Sequence, residues 1–305
     1  MTIDAPPPTV ADVAYAADSP SQRLDLWLPD APTGPAPVVV FVHGGGWYYG
    51  SREMVAPKVA ALLAAGFAVA SIDYRMSGEA PFPAAVDDTR AAVGHLRRHA
   101  AEARIDPDRI VLWGESAGAN IACVVGALSG RLAPWDAPAA PDAPGPTAPI
   151  AAVVDWFGPT DFLAMDDQAA QIGCAPSSHS ADDSPESRYV GSPVRTAPDL
   201  AALAGPLPHL AADGDGDGDG DGDGDGDGGA GGDDGAPPLP AVAIAHGTAD
   251  CTVAPGQSHL LVDALRARGV EPWVTWLEGA EHSDPRFDAE LLAPTIDWLA
   301  EVLAR

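Results

Sequence analysis

The chain has 305 residues, 46% of them hydrophobic, which is enough for one large domain with a sizeable buried core. Its formal net charge is −28, and ten of the aspartates lie in one stretch, 213–234. An acidic chain without a Lys/Arg cluster repels phosphate backbones and anionic lipid surfaces, which excludes nucleic acid and membranes as expected partners.

The N-terminus, residues 1–8, has neither the basic nor the apolar segment of a signal peptide. No uninterrupted apolar run reaches the roughly 20 residues that a membrane helix needs. We therefore expect a cytoplasmic protein, either a monomer or a homodimer. Its three cysteines cannot all pair, and in the cytosol each is expected to be a small buried side chain.

Two segments near the N-terminus alternate between polar and apolar residues. Val10–Tyr15 and Arg23–Leu28 are separated by the turn residues Asp18-Ser19-Pro20. This pattern predicts an antiparallel pair of strands at one edge of a sheet.

After a Pro/Gly-rich link, short apolar runs alternate with amphipathic helical stretches. This rhythm is typical of a mostly parallel sheet with helices on both faces. The predicted strands are Val38–Val42, Ala68–Asp73, Ile110–Trp113, Ala152–Trp156, Val242–Ala245 and Trp273–Leu277, and the predicted helices are Val55–Ala65, Ala84–Ala103, Ile121–Leu128, Gly256–Arg268 and Pro285–Leu303. With the two entry strands, we expect an eight-stranded sheet in a single α/β domain, 1–305.

Two stretches, Leu132–Pro149 and Asp161–Pro240, interrupt this rhythm. In an α/β sheet such insertions gather above the carboxyl ends of the strands, where binding sites form. We expect residues 157–205 to form a small cap-like insertion there.

The pentapeptide Gly114-Glu115-Ser116-Ala117-Gly118 is a G-x-S-x-G motif between the strand that ends at Trp113 and an apolar helical run. Its two glycines allow a turn tight enough to expose the serine hydroxyl. The motif in this context predicts that Ser116 is a nucleophile.

A second motif, His43-Gly44-Gly45-Gly46-Trp47, directly follows the strand Val38–Val42. Backbone N–H groups beside glycines can stabilise the oxyanion of a tetrahedral intermediate without side-chain rearrangement. The expected oxyanion hole consists of Gly44, Gly45, Gly46 and Ala117. The alternatives are a plain Gly-rich turn and a weak phosphate loop. The motif lacks the Lys-Ser/Thr of nucleotide sites and the G-x-G-x-x-G spacing of dinucleotide sites.

A serine alcohol needs a base that is itself oriented by a carboxylate, and here the acid should precede the histidine in the chain. Asp250 follows the strand Val242–Ala245, and His282 follows Trp273–Leu277. Both therefore reach the carboxyl edge of the sheet beside Ser116, and we predict that the three form a catalytic triad.

Asp155 and Asp161 are competing candidates for the acid, but they precede the helix and strand that a triad acid should follow. The remaining candidates for the base are expected to be surface or structural histidines: His95, His99, His179, His209, His246 and His259.

Taken together, these motifs resemble the α/β-hydrolase esterases with an HGGGW oxyanion loop, which are close to the hormone-sensitive-lipase-like group. They are especially similar to the bacterial branch of bifunctional acetyl-xylan and feruloyl esterases. The resemblance runs over nearly the whole chain and includes Asp73-Tyr74-Arg75 and the segments 155–162, 183–188 and 255–258.

The resemblance implies an α/β-hydrolase fold in which Ser116, Asp250 and His282 hydrolyse a small ester without metal or cofactor. It also implies that Cys174 and Cys251 lie close enough to bridge above the active site under oxidation. Ala119 departs from the third glycine usual in the family, but alanine is small enough for the helix to pack.

The expected substrates are short-chain acyl esters, with acetyl or feruloyl esters of carbohydrates among them. We expect the substrate pocket to be lined by Trp47, Glu115, Trp156, Phe157 and Phe162. Two alternatives remain: amide hydrolysis by the same triad, as in formamidases and exopeptidases, and a non-catalytic binding protein on the same fold.

Eight Asp-Gly repeats occupy residues 213–228. Their aspartates suggest calcium, but a frame that begins at any of them places Gly at the twelfth position, where an EF-hand loop needs Glu. Like charges separated by glycine bury nothing, so we expect a disordered Asp-Gly-rich loop at 211–236.

Overall fold

The computed structural model describes residues 5–30, 34–136, 147–176, 178–211 and 238–305. The loop predicted at 211–236 lies, except for Ala211, outside the described residues. Among the residues described, no helix is both long and apolar enough to cross a bilayer.

Within the described ranges, eight strands form one sheet in the order β1-β2-β4-β3-β5-β6-β7-β8. The strands are β1 (Val10–Ala14), β2 (Arg23–Trp27), β3 (Ala36–Val42), β4 (Ala68–Ile72), β5 (Ile105–Glu115), β6 (Ala152–Trp156), β7 (Ala241–Gly247) and β8 (Trp273–Leu277). β1 and β2 pair antiparallel, β2 runs antiparallel to β4, and all other neighbours are parallel. The predicted eight-stranded, mostly parallel sheet is confirmed.

The central strands are buried on both faces, as expected for a parallel sheet covered by helices. In β3, for example, every residue from Val38 to Val42 is at most 1% exposed. Apolar side chains pack on the two faces as two separate core clusters, one containing Val38 and Val40 and the other containing Val39 and Phe41.

The helices are α1 (Ala56–Ala64), α2 (Ala84–Arg98), α3 (Ala100–Ala103), α4 (Ala117–Ala127), α5 (Met165–Gln171), α6 (Pro185–Val190), α7 (Pro198–Leu203), α8 (Leu207–Leu210), α9 (Gly256–Ala267) and α10 (Leu292–Val302). The helix predicted over Ala84–Ala103 is two helices, because the backbone of His99 (φ −104°, ψ 13°) leaves the helical region between them. The predicted final helix is likewise divided into a π-helical turn, Phe287–Leu291, and α10.

Four short helices, α5 to α8, lie between β6 and β7, where the cap-like insertion is predicted. Local signals explain α6: the Ser184 side chain accepts a hydrogen bond from the Ser187 N–H, Pro185 occupies the first turn, and Gly191 (φ 81°) ends the helix. These segments follow the carboxyl end of β6.

Candidate active site

Ser116 occupies the sharp turn between β5 and α4, with φ 53° and ψ −122°. The glycines on either side have no room for a side chain. A Cβ at Gly114 would lie 2.3 Å from the Gly118 carbonyl oxygen, and one at Gly118 would lie 2.0 Å from the Val42 carbonyl oxygen. The tight contact between strand and helix therefore requires both glycines and leaves the serine at the tip of the turn.

The three residues predicted as a triad form one chain of hydrogen bonds. The His282 Nδ1–H donates to Asp250 Oδ2 at 2.6 Å. The distance from His282 Nε2 to Ser116 Oγ is 2.9 Å, so the serine hydroxyl can donate to the imidazole. This geometry suits proton transfer from the serine to an oriented base.

Asp250 is fully buried, yet its carboxylate is well supplied with donors. The Thr252 and Val253 N–H groups donate to Oδ1 at 2.8 and 2.9 Å. Burial alone would raise the pKa of Asp250, but its interactions with His246 and His282 outweigh burial and lower the pKa to about 2. The acid therefore stays ionised beside the imidazole.

His246, which the sequence suggested to be structural, is held in the core beside Asp250. Its Nε2–H donates to the Val253 carbonyl at 2.7 Å and lies 3.4 Å from Asp250 Oδ2. Its Nδ1 accepts from the Ser258 hydroxyl at 2.7 Å. His246 thus holds the loop that carries Asp250 in place, and it lies close to the same carboxylate oxygen that His282 contacts.

The two competing acids serve other purposes. Asp155 is buried, and its carboxylate accepts from the Gly158 N–H at 2.8 Å. Burial raises the pKa of Asp155 to about 6. The Asp161 carboxylate accepts from the Leu163 N–H at 3.0 Å. Both carboxylates stabilise the chain that follows β6.

The glycine loop after β3 lies against the nucleophile. A Cβ at Gly44 would lie 3.3 Å from Ser116 Cβ, and Gly45 and Gly46 have positive φ angles of 113° and 57°. The loop is anchored by His43, whose ring stacks on Tyr74 and whose carbonyl accepts from the Tyr74 hydroxyl at 2.9 Å.

A cavity of about 280 Å³ opens above Ser116. Its lining includes Gly44, Gly45, Gly46, Ala117 and His282, together with three of the predicted pocket residues, Trp47, Glu115 and Phe157. The glycine loop, Ser116 and His282 therefore line the same cavity.

Trp156 and Phe162 were predicted to line the pocket, and that prediction is wrong for both. Trp156 is 1% exposed and lies in the core, where its ring packs edge-on against Trp113 and beside Phe287. Phe162 is 1% exposed and packs edge-on behind Trp47. Apolar character alone did not distinguish a wall of the cavity from the core.

Sequence reasoning missed several residues that line the cavity. They are Tyr48, Tyr49, Met54, Pro159, Ser178, His179, Pro185, Glu186, Thr252, Val253 and Ser283. His179 and Glu186 are hydrogen-bonded to each other at 2.9 Å. They lie in an irregular segment and on a short helix, where no spacing rule links them.

Cys174 and Cys251 are joined by a disulfide, as the family resemblance implied. The bond ties the segment before His179 to the loop that carries Asp250. Because disulfides form mainly in oxidising compartments, this bond is at odds with the cytoplasmic location expected from the sequence. The third cysteine, Cys123, is a buried free thiol.

In the part of the chain that the structure describes, no group of three or more His, Cys, Asp or Glu side chains is placed to hold a metal ion.

The chain matches the BD-FAE family over residues 24–215. Among curated proteins it is similar to the esterase LipC of Mycobacterium tuberculosis, with 28% identity over 93% of this chain and 62% of LipC. It is also similar to the carboxylesterase NlhH of the same organism, with 44% identity over 30% of each chain. A probable isoprenylcysteine alpha-carbonyl methylesterase of Arabidopsis thaliana, ICMEL1, is 43% identical over 34% of this chain and 22% of its own length. The matches thus span 22% to 62% of these relatives.

Solved structures resemble the whole chain. A truncated carbohydrate esterase from gut microbiota is 27% identical with a TM-score of 0.76, covering 97% of this chain and 96% of its own. An esterase from Thermogutta terrifontis is 22% identical with a TM-score of 0.67, and the match covers 97% of this chain and 94% of the esterase. These likenesses confirm the predicted α/β-hydrolase fold.

Proposed function

The chain belongs to the BD-FAE family, and from that membership and the geometry at Ser116 we propose that it is a serine carboxylic ester hydrolase. The observation that carries the proposal is the chain of hydrogen bonds from Ser116 through His282 to Asp250. Esterases among its relatives and structural neighbours support the same reaction.

The reaction begins with attack of Ser116 Oγ on the acyl carbon of the ester. His282 Nε2 takes the hydroxyl proton, and the Asp250 carboxylate stabilises the imidazolium that forms. When the tetrahedral intermediate collapses, the bond to the alcohol oxygen breaks and the alcohol takes the proton from His282. A water molecule then attacks the acyl-serine with His282 again as base, which releases the carboxylic acid and restores the serine.

The oxyanion of each tetrahedral intermediate is stabilised by backbone N–H groups of Gly44, Gly45, Gly46 and Ala117. Ala117 is the first residue of α4, so its N–H has no acceptor within the helix and the positive end of the helix dipole lies beside it. Loss of one such donor costs about 3 kcal/mol in comparable sites.

The proposed substrates are short-chain acyl esters, including acetyl or feruloyl esters of carbohydrates. The volume of about 280 Å³ suits a small acyl group with part of its alcohol. Similarity to a carbohydrate esterase over nearly the whole chain favours a sugar alcohol.

Labelling with a fluorescent alkyl phosphonofluoridate tests the proposal, because only an activated serine reacts rapidly. We expect native protein to be labelled at Ser116, and Ser116→Ala and heat-denatured protein to remain unlabelled. Ser283→Ala is the matched control, since Ser283 lines the same cavity and its loss should leave labelling intact. Equal labelling of native protein and Ser116→Ala would contradict the proposal.

A panel of substrates distinguishes ester hydrolysis from amide hydrolysis. Acetylated xylan, feruloyl esters and 4-nitrophenyl acetate should be hydrolysed by the native protein and not by Ser116→Ala. Faster hydrolysis of aryl formamides or dipeptidyl amides than of any ester would instead assign the triad to amide hydrolysis.

A further inference from the structure

One wall of the catalytic cavity carries an ionisable pair that the proposed reaction does not use. Glu186 lies in the first turn of α6, and only 4% of the residue is exposed. His179 lies on the preceding loop, and its Nδ1–H donates to Glu186 Oε1 at 2.9 Å. Both side chains contribute to the lining around Ser116.

The two side chains are held firmly in place. The N–H groups of His179 and Ser180 donate to the two oxygens of Asp166 at 2.9 and 3.1 Å, which fixes the loop against α5. Glu186 is positioned by the capped first turn of α6. The pair is therefore a preorganised part of the wall.

Within the part of the chain that the structure describes, each member of the pair also keeps one buried polar atom without a hydrogen-bond partner. These atoms are His179 Nε2 and Glu186 Oε2. Because an unpaired buried donor or acceptor is costly, such atoms call for an external partner. The cavity that both side chains line is where such a partner can bind.

The neighbours of the pair place it beside the glycine loop that follows β3. A Cβ at Gly46 would lie 2.8 Å from the Tyr48 ring and 3.4 Å from the side chain of Pro185, the residue before Glu186. The start of α6 therefore borders the glycine loop, so a substituent close to the ester bond can reach the pair.

The imidazole of His179 and the carboxylate of Glu186 determine which kind of group this wall of the cavity can bind. Burial alone would lower the pKa of His179, but the hydrogen bond to Glu186 and the charges of Glu186, Asp166 and Asp250 outweigh it and raise the pKa. A carboxylate oxygen accepts a hydrogen bond, whereas an imidazole nitrogen donates or accepts according to its protonation. An alcohol hydroxyl can satisfy either atom, while a hydrocarbon satisfies neither.

We propose that His179 and Glu186 form a subsite that binds a hydroxyl group of the substrate close to the scissile ester. This inference rests on the proposed function and adds the residues that would decide its specificity: the pair favours hydroxylated esters over apolar esters of the same size. A site built to bond a hydroxyl discriminates against the analogue that lacks it, because its buried polar groups are then left unpaired.

Two pairs of substrates test the subsite, one for each side of the ester. Glycerol monoacetate is compared with propyl acetate, and ethyl 3-hydroxybutanoate with ethyl butanoate. We expect the full-length protein to prefer the hydroxylated member of at least one pair by roughly 10- to 100-fold in kcat/KM. A preference in the first pair places the hydroxyl on the alcohol side, and one in the second places it on the acyl side.

Glu186→Leu should abolish that preference. It should lower kcat/KM for the hydroxylated ester and leave kcat/KM for the apolar ester within about 3-fold of the native value. Glu186→Gln keeps the shape of the side chain and loses its charge, so it should reduce the preference even if the leucine variant folds poorly. Asp183→Asn is the matched control, because it removes an exposed carboxylate from the same segment, and it should retain the preference.

Equal rates for both members of both pairs in the native protein would overturn the subsite. So would an equal loss on hydroxylated and apolar esters in Glu186→Gln, since this is the effect of a merely structural residue. In both cases Ser116-dependent hydrolysis of propyl acetate would leave the proposed function standing. Absence of all ester hydrolysis would overturn both.

Discussion

Lys58 Nζ lies 2.6 Å from Glu115 Oε1. The single lysine of the chain therefore contacts the residue directly before Ser116. The lysine is 2% exposed, and it also contacts Asp288 at 2.7 Å. Its ammonium group lies 4.8 Å from the centre of the Trp156 ring. One buried cation thus connects α1, the nucleophile turn and the segment after His282.

Lys58→Met should therefore destabilise the fold. The substitution leaves Glu115 and Asp288 without their common cation, and breaking a buried ion pair costs about 3 kcal/mol. We expect a clear fall in Tm, measured by calorimetry. Arg266→Met removes an exposed ion pair with Glu271 and should leave Tm nearly unchanged, because solvent screens that pair. Equal Tm values for the two variants would contradict the role of Lys58.

Asp250→Asn should lose both activity and acid-dependent stability. Without the carboxylate His282 loses its orientation, so we expect kcat to fall by about 10³- to 10⁴-fold. The pKa of Asp250 is lowered to about 2, so its ionisation stabilises the folded state above about pH 4. That stabilisation, about 2 kcal/mol, is lost as the pH falls from about 4 towards 2.

Urea unfolding of native protein and Asp250→Asn between pH 2 and pH 6 measures this effect. The difference in unfolding free energy should be largest above pH 4 and should shrink towards pH 2. A difference that does not vary with pH would argue against the lowered pKa. Asp161→Asn is the control for activity, because its carboxylate bonds to the backbone of Leu163.

Gly118→Ala should disrupt the nucleophile turn. The new methyl group would lie 2.0 Å from the Val42 carbonyl oxygen, so α4 has to move away from the sheet. We expect a loss of stability of about 1–3 kcal/mol and a large loss of esterase activity. Gly78→Ala is the matched control, since nothing lies within 4 Å of the added carbon. Retention of full activity by Gly118→Ala would show that the turn tolerates a side chain.

Reduction of the Cys174–Cys251 bond should lower Tm. The bond closes a loop with a sequence separation of 77 residues, for which chain entropy predicts about 4 kcal/mol of stabilisation. Thiol titration of unreduced, denatured protein should detect Cys123 alone, and reduction should raise the count to three. Cys251→Ser should have a Tm that no longer responds to reductant. Three reactive thiols before reduction would contradict the bond.

The meeting of Ser116, Asp250 and His282 at one edge of the sheet was predictable because local patterns determine where strands end. A strand, a glycine turn and a helix around Ser116 form a recognisable motif, and parallel strands bring all their carboxyl ends to one edge. Asp250 and His282 follow β7 and β8, so their meeting with Ser116 follows from chain order once the sheet forms. The eight strands were predicted on the same grounds.

Which residues line the cavity depends on the tertiary structure. Trp156 and Phe157 are neighbouring aromatic residues of the same core cluster, and both pack beside Phe287. Only Phe157, which has φ 48°, also packs edge-on against His282 and lines the cavity. Hydrophobicity cannot distinguish them, because the position of each side chain depends on where β6 ends. Lys58 and Glu115 are likewise far apart in sequence, and only the packing of α1 against the sheet joins them.

The sequence by itself therefore determined where Ser116, His282 and Asp250 meet, because all three follow from motifs at strand ends. The tertiary structure alone brought His179 and Glu186 to the wall of the cavity, and it joined Cys174 to Cys251, a pairing that the sequence indicated only through the family resemblance. These contacts involve irregular segments between β6 and β7, where no periodicity constrains the chain. Their geometry depends on how those segments pack over the sheet.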